Sequence, residues 1–352
     1  MHTKSWFLTF ITLSTLLIVV IGAINYIVDP FSVTQKNILN IPVKLVSDDR
    51  SEKVIAINNL ERIDNVMLGS SRVYLINPLV LSKYAGGITY NLGVGTAQAE
   101  DFLGFLLHLE KINKFPKVVV LGLDFYSFND ALVTNKYFVR NKTINFLNEN
   151  IYRVDDIGEF VSWDTTGASI KTLKTFLGVK SEKQRFDMYG ASGEASSIFG
   201  FYPDNEEYID IYARDKQRKA TNFLNNPPYL SVSKKRFEYL KKIVDMCKQH
   251  GTELKVFITP LYGKLQDEIY ANETLRQKMI EFKNELRKIT SYYDFLTYND
   301  ITRSSASFAD TSHLKTVTGN LILARLYNDK EVKVPEGFGV YREMQAPQSE
   351  KQ

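Results

Sequence analysis

A single cysteine, Cys247, stands in a chain of 352 residues, so no internal disulfide can form. Histidine is also scarce, at four residues, and no Cys/His cluster points to structural zinc. Cys247 shares a helical stripe with Phe237, Leu240 and Val244, which reads as core packing. Neither sign of charge dominates. The 44 Lys and Arg against 40 Asp and Glu leave a formal +4, and the basic residues are spread along the chain. Without a basic cluster and interleaved aromatics, nucleic acid is not an expected partner. There are no internal repeats, which excludes a repeat architecture. What remains, 44% hydrophobic and 24% charged residues, is ordinary globular composition.

One local absence is informative. From Ser5 to Val28 no residue is charged, and Leu, Ile, Val and Phe fill the run. At about 1.5 Å per residue, a helix there can cross a hydrocarbon core of roughly 30 Å. Lys4 precedes it and Asp29-Pro30 ends it. With positive charge inside, the N-terminus is expected in the cytoplasm and the rest outside. A cleaved signal peptide is the alternative, but the run is long and Ile21-Gly22-Ala23 is a poor cleavage site. Residues 1–30 therefore read as a cytoplasmic stub and uncleaved anchor, and 31–63 as a connector with a short helix.

Element types then alternate. Strands are expected at Asn65–Leu68, Ile88–Leu92 and Lys117–Leu123, the last an unbroken Val/Leu run of the kind buried on both faces. Asn77-Pro78 starts a helix, and Ala99–Ile112 is amphipathic. From about 129 to 230 the pattern breaks into Tyr-, Asn-, Asp- and Ser-rich sequence, read as an insertion. Regularity returns with a helix at Ser233–His250, a strand at Leu254–Thr259, a helix at Asp267–Ile289, a strand at Tyr292–Leu296 and a helix at Thr318–Tyr327. Residues 331–352 read as a polar tail. Alternating strands and helices predict an α/β fold for 64–330, a parallel sheet flanked by helices. Ligand sites in such sheets lie at the C-terminal ends of the strands.

Several motifs fall just after those strands. Gly69-Ser70-Ser71-Arg72 follows the first, and Asn91-Leu92-Gly93 the second. Gly122-Leu123-Asp124 follows the third, and Asp310-Thr311-Ser312-His313 precedes the last helix. Serine becomes a nucleophile when an imidazole takes its proton and a carboxylate fixes the ring. Elimination favours His313. His2 lies before the anchor, His108 lies within an amphipathic helix, and His250 sits in the last turn of a helix.

In order and position these blocks resemble the SGNH/GDSL hydrolase superfamily, over about Asn65 to Tyr327 apart from the insertion. The resemblance implies a three-layer, flavodoxin-like sheet domain. It implies Ser71, not Ser70, as nucleophile, with His313 as base and Asp310 as its orienter. It places the N–H groups of Ser71 and Gly93 in an oxyanion hole and calls for no metal and no cofactor. Asp124 departs from the pattern, because the family has asparagine there and a carboxylate would repel an oxyanion. Three readings follow: Asp124 is held protonated or turned away toward Arg72, which would neutralise it; Asn129 or another donor takes its place; or the site is weak or inactive. Arg72 and Asn91 are the candidates for contacting substrate or balancing charge.

An SGNH-like domain held outside a membrane is similar to envelope proteins that add or remove acyl groups on exported glycans, such as the alginate acetylation and D-alanyl transfer proteins. The resemblance thus implies an acylated glycan as substrate and a membrane acyl-donor protein as a partner. In the insertion, Tyr137, Phe138, Tyr152, Trp163, Tyr189, Phe199, Phe201, Tyr202, Tyr208 and Tyr212 are either sugar platforms or a small core of their own. The competing reading is a catalytically inactive scaffold or glycan-binding protein with the same fold.

Overall fold

The structure, a computed structural model, describes residues 2–31, 34, 38–41, 49–147, 158, 160–179 and 228–345. The chain divides into two compact units, one formed by 1–55 and 136–184, the other by 56–135 and 185–352.

In the first unit, helix α1 spans His2–Val28. Within Ser5–Val28, an 18-residue window has a mean hydropathy of 2.5 and none of that window is buried by protein, whereas Asn25 and Val28 near the end of the span are buried. By length and composition it can cross a membrane. Thr9 and Thr12 turn their hydroxyls onto the helix backbone, donating to the carbonyls four residues back. The short helix α5 (Lys136–Arg140) and the longer α6 (Trp163–Phe176) belong to the same unit. Helix α2 (Asp49–Asn59) leads from it into the second unit.

The second unit is built on a six-stranded sheet: β1 (Asn65–Leu68), β2 (Thr89–Asn91), β3 (Val118–Leu123), β4 (Glu253–Ile258), β5 (Tyr292–Asp294) and β6 (Val340–Arg342). The order is β2-β1-β3-β4-β5-β6. β1 to β5 run parallel, and β6 closes the edge antiparallel to β5. Every residue of β1 and β3 is buried, as an apolar run without alternation requires. Helices α3 (Pro78–Ala85), α4 (Ala99–Lys111), α7 (Lys234–Gln249), α8 (Gly263–Ala271), α9 (Glu273–Arg287), α10 (Asp300–Arg303) and α11 (Thr316–Leu326) flank it.

Local chemistry explains the boundaries. Asn77 caps α3 through the Leu79 N–H, with Pro78 at the first helical position. The segment expected as one helix over 267–289 is two helices. The Asn272 side chain accepts from the Leu275 N–H and starts α9 afresh, so capping overrides continuation. Chain beyond Lys330, expected as a polar tail, adds β6 to the sheet. Phe338 is fully buried against Phe295, and Arg325 Nε donates to the Phe338 carbonyl.

Between β1 and β3 the chain order reverses, the place at whose C-terminal strand ends such sheets carry their ligand sites. Glycines let the turn after β1 settle there. A Cβ on Gly69 or Gly93 would lie 2.5 Å from a Val73 methyl carbon, so Val73 seats the turn only because both positions lack one.

Candidate functional site

Three post-strand segments meet at that end of the sheet. After β1, Gly69-Ser70 leads into a single 3₁₀ turn at Ser71–Val73. Ser70 is buried, and its Oγ caps the turn by accepting the Arg72 N–H at 3.2 Å. Ser71 is the first residue of the turn, so its N–H has no acceptor within it. The two serines thus have different work: Ser70 ties the turn together and Ser71 faces outward to a histidine.

That histidine is His313. Its Nε2 lies 2.7 Å from Ser71 Oγ. Its Nδ1 lies 2.8 Å and 2.7 Å from the two carboxylate oxygens of Asp310. The loop carrying both is pinned by its own backbone, with the Ala309 N–H donating to the His313 carbonyl at 2.8 Å and Phe308 bridging Leu314. Asp310 Oδ1 also accepts the N–H groups of Ser312 and His313, both at 2.8 Å, in the local turn that aspartate favours. A link from the Tyr262 N–H to the Thr311 carbonyl, at 3.0 Å, fastens the loop to the chain after β4.

Burial works against the charge on Asp310, but the His313 ring and the two backbone N–H groups outweigh it and hold its carboxyl well below the usual 3.8. A carboxylate fixed in this way selects the ring tautomer that carries hydrogen on Nδ1. Nε2 is then left to accept the serine proton.

Arg72 joins the two halves of the site. Its Nη1 is 2.9 Å from Asp124 Oδ1, with side-chain exposures of 9% and 2%. Its Nε donates to the Ser312 carbonyl at 3.2 Å. The guanidinium lies over the Tyr126 ring, 4.8 Å from its centre. Burial opposes the charge on Arg72, while the Asp124 carboxylate raises its pKa, and the net direction is up. Asp124 also accepts from Thr259 Oγ1, at the end of β4, and burial pushes the Tyr126 phenol up beside it. Thr259 and Tyr126 did not stand out in the sequence. Their position just after β4 and β3 was the available signal.

Two expected residues do other work. The Gly93 N–H, expected to be open to an oxyanion, donates to Asn91 Oδ1 at 2.9 Å. Asn91, expected to touch substrate, is fully buried, and its amide donates to the carbonyls of Val73 and Ile76 at 2.8 Å and 3.3 Å. Both residues brace the turn after β1. Such bracing depends on which way a side chain two residues upstream points, which spacing does not show.

His108 and His250 are engaged elsewhere. His108 Nε2 meets Asn58 Oδ1 at 2.8 Å, and His250 Nε2 meets Glu110 Oε1 at 2.7 Å. Cys247 is buried and its thiol is pushed up to about 12 by burial, so it is an inert core residue. Among the insertion aromatics, Phe138 is buried with its ring edge to face with Phe146, and Trp163 is 88% exposed. The Tyr137 ring is approached by Lys136 and Arg140. Tyr152, Tyr189, Phe199, Phe201, Tyr202, Tyr208 and Tyr212 lie outside the described residues.

No family model matches the chain, and no curated protein matches it. The fold and site define it as a mixed α/β chain with a mostly parallel sheet, one apolar N-terminal helix, and a serine, a histidine and an aspartate in hydrogen-bond sequence at the strand ends.

Proposed function

We propose that this chain is a membrane-anchored serine acyl esterase or O-acyltransferase of SGNH type, acting outside the cytoplasm on acyl groups of a cell-envelope glycan. The observation that carries the chemistry is the run of contacts from Ser71 Oγ to His313 Nε2 and from His313 Nδ1 to Asp310, each at 2.7 Å. The 2-1-3-4-5 order of the parallel strands is the flavodoxin-like order, which supports the family reading. The glycan and the membrane acyl-donor partner follow from the resemblance alone.

In this reading Ser71 Oγ gives its proton to His313 Nε2 and attacks the acyl carbon. The carbonyl π electrons move to oxygen, which the Ser71 N–H stabilises. His313 returns the proton to the leaving alcohol as the acyl–O bond breaks. Water or a sugar hydroxyl then attacks the acyl-serine by the same route in reverse. Asp310 holds the ring and balances its charge. Arg72 keeps the Asp124 carboxylate neutralised, so no uncompensated negative charge stands beside the developing oxyanion.

A second reading is favoured by a specific observation. With the Gly93 N–H engaged by Asn91 and an aspartate at position 124, two of the expected oxyanion donors are missing. A catalytically inactive scaffold or glycan-binding protein accounts for that loss. Hydrolysis of an activated aryl acetate by the full chain in detergent separates the two. The enzyme reading expects turnover that disappears in Ser71→Ala, whereas equal rates in both proteins would leave the scaffold.

A further inference from the structure

Helix α6 (Trp163–Phe176) is built the wrong way round for a helix on a water-soluble unit. Its buried residues, Thr165, Ala168, Ser169 and Thr172, are small or hydroxylic and follow one helical stripe. Most of the large apolar residues of the helix and its flanks face out, Leu173 being half-buried and Phe160 buried. Val161 is 44% exposed, Trp163 88%, Ile170 50%, Phe176 44%, Leu177 70% and Val179 72%. Trp163, Ile170 and Leu177 recur every seven residues and so share one line along the helix axis. A surface helix in water shows the opposite arrangement. Small residues inward and large apolar residues outward is the pattern of helices whose solvent is lipid.

The position of α6 within its unit points the same way. Its first turn meets α1 where the apolar span ends. Asn25, buried near the end of that span, donates to the Phe160 carbonyl at 2.6 Å and to Thr166 Oγ1 at 2.9 Å. The Tyr26 and Phe160 rings meet edge to face at 5.3 Å, and a Cβ on Gly22 would touch Val161 at 3.4 Å. Phe31, just past the span, shares a small core with Phe160 and Ala168. Helix α6 is thus held at the level where α1 leaves the hydrocarbon. Lys171 and Lys174 are exposed beside the apolar line, where ammonium groups can reach lipid phosphates while their stems lie on apolar surface.

The geometry points to a second membrane contact: α6 lies in the lipid interface beside the exit of α1, with Trp163, Ile170 and Leu177 seated at the boundary of headgroups and acyl chains. Indole prefers that boundary, where its ring is apolar and its N–H is wet. This inference rests on the reading of α1 as a membrane span. Its consequence is that the unit is held to the bilayer at two points rather than swinging from one.

The chain has two tryptophans, Trp6 in α1 and Trp163 in α6, so each can be observed alone. The test reconstitutes the full chain as Trp6→Phe and, separately, as Trp163→Phe in vesicles of phosphatidylcholine and phosphatidylglycerol. Emission is quenched by lipids brominated near the carbonyl level or by iodide in the water. The remaining Trp163 is expected to emit to the blue of tryptophan in water, to lose most of its intensity to brominated lipid, and to be shielded from iodide. Full quenching by iodide with none from brominated lipid overturns the inference. If Trp6 in the companion protein is then still quenched by lipid, the anchor stands and only the second contact fails. If neither tryptophan responds to lipid, the anchor fails as well. Shielding of Trp163 from both quenchers also overturns the inference, because protein, such as a second copy, then covers the face.

Discussion

Arg72 and Asp124 form an ion pair at 2.9 Å, and their side chains are 9% and 2% exposed. The pair bridges the turn after β1 and the chain after β3, and the same guanidinium reaches the Ser312 carbonyl at 3.2 Å in the loop that carries His313. The charge pair thus ties the turn of Ser71 to the loop of His313, and it is the pairing that the sequence offered as one way to neutralise an aspartate where the resembled family has asparagine.

Removing one partner of a buried pair leaves the other charge uncompensated, at a cost of about 3–5 kcal/mol. Arg72→Ala is therefore expected to lose stability on that scale and to lose activity beyond it, because Asp124 then repels the oxyanion. Asp124→Asn is expected to cost less, since an amide oxygen still accepts from Arg72. Combining Arg72→Ala with Asp124→Asn should recover part of the stability. Denaturant unfolding of the two single variants and the double variant measures the coupling, and additive losses would show that the pair is not coupled.

Ser71, His313 and Asp310 are expected to act as one unit. Ser71→Ala and His313→Ala should each lower turnover by on the order of 10⁴-fold or more, and the double variant should fall little further. Asp310→Ala should be milder, because an imidazole without its orienter still adopts the working tautomer part of the time. Ser70→Ala should keep the chemistry and lose about 1 kcal/mol of stability, since Ser70 Oγ caps the turn and bonds the Tyr126 phenol rather than facing His313. Steady-state kinetics beside melting curves checks all of these.

Asp310 also predicts a pH dependence of stability. Its carboxyl is held below 3.8 in the folded protein, so the unfolded chain takes up this proton first as pH falls. The stabilisation is complete above the ordinary value and is lost as pH drops through the folded one. The difference in unfolding free energy between wild type and Asp310→Asn should be flat above about pH 5 and shrink toward about pH 2. A difference that grows on acidification would contradict the sign.

Gly93 and Asn91 are expected to matter for folding. Gly93→Ala would set a Cβ 2.5 Å from Val73 and 3.2 Å from the Ser70 carbonyl, a cost of about 1–3 kcal/mol. Asn91→Ala strands the buried Gly93 N–H and removes one of the two donors to the Val73 carbonyl, which keeps the Ile76 N–H, at a similar cost. Chemical denaturation of both variants tests this, and wild-type stability would return Gly93 to the expected oxyanion hole or Asn91 to the expected contacts with substrate.

Much of the architecture was legible because it rests on local rules. β1 falls at Asn65–Leu68 as expected, and the Val/Leu run of β3 declared a strand buried on both faces. Asn77-Pro78 marked α3 through capping chemistry. In the site, the nearness of Asp310 to His313 was legible because a separation of three residues in a tight loop leaves few alternatives. The reach from Ser71 to His313 rested on block order, since nothing local links residues so far apart in sequence. The occupied Gly93 N–H and the antiparallel β6 were not legible. One is set by a neighbouring side chain's orientation, the other by an edge that only the assembled sheet presents.

For the anchor, a reporter active only outside the cytoplasm, fused after Gln352, is expected to be active with the protein in the membrane fraction. Release of a shortened soluble form would make the N-terminal run a cleaved signal.

The central claim is that Ser71 is an activated nucleophile. The most direct measurement treats the full chain in detergent with a serine-reactive fluorophosphonate and locates the adduct by mass spectrometry of the peptide spanning Gly69–Val73. The account predicts one adduct on Ser71, none on Ser70, and loss of labelling in His313→Ala with the fold intact. A protein that stays unlabelled while folded, or one labelled equally in His313→Ala, would contradict it.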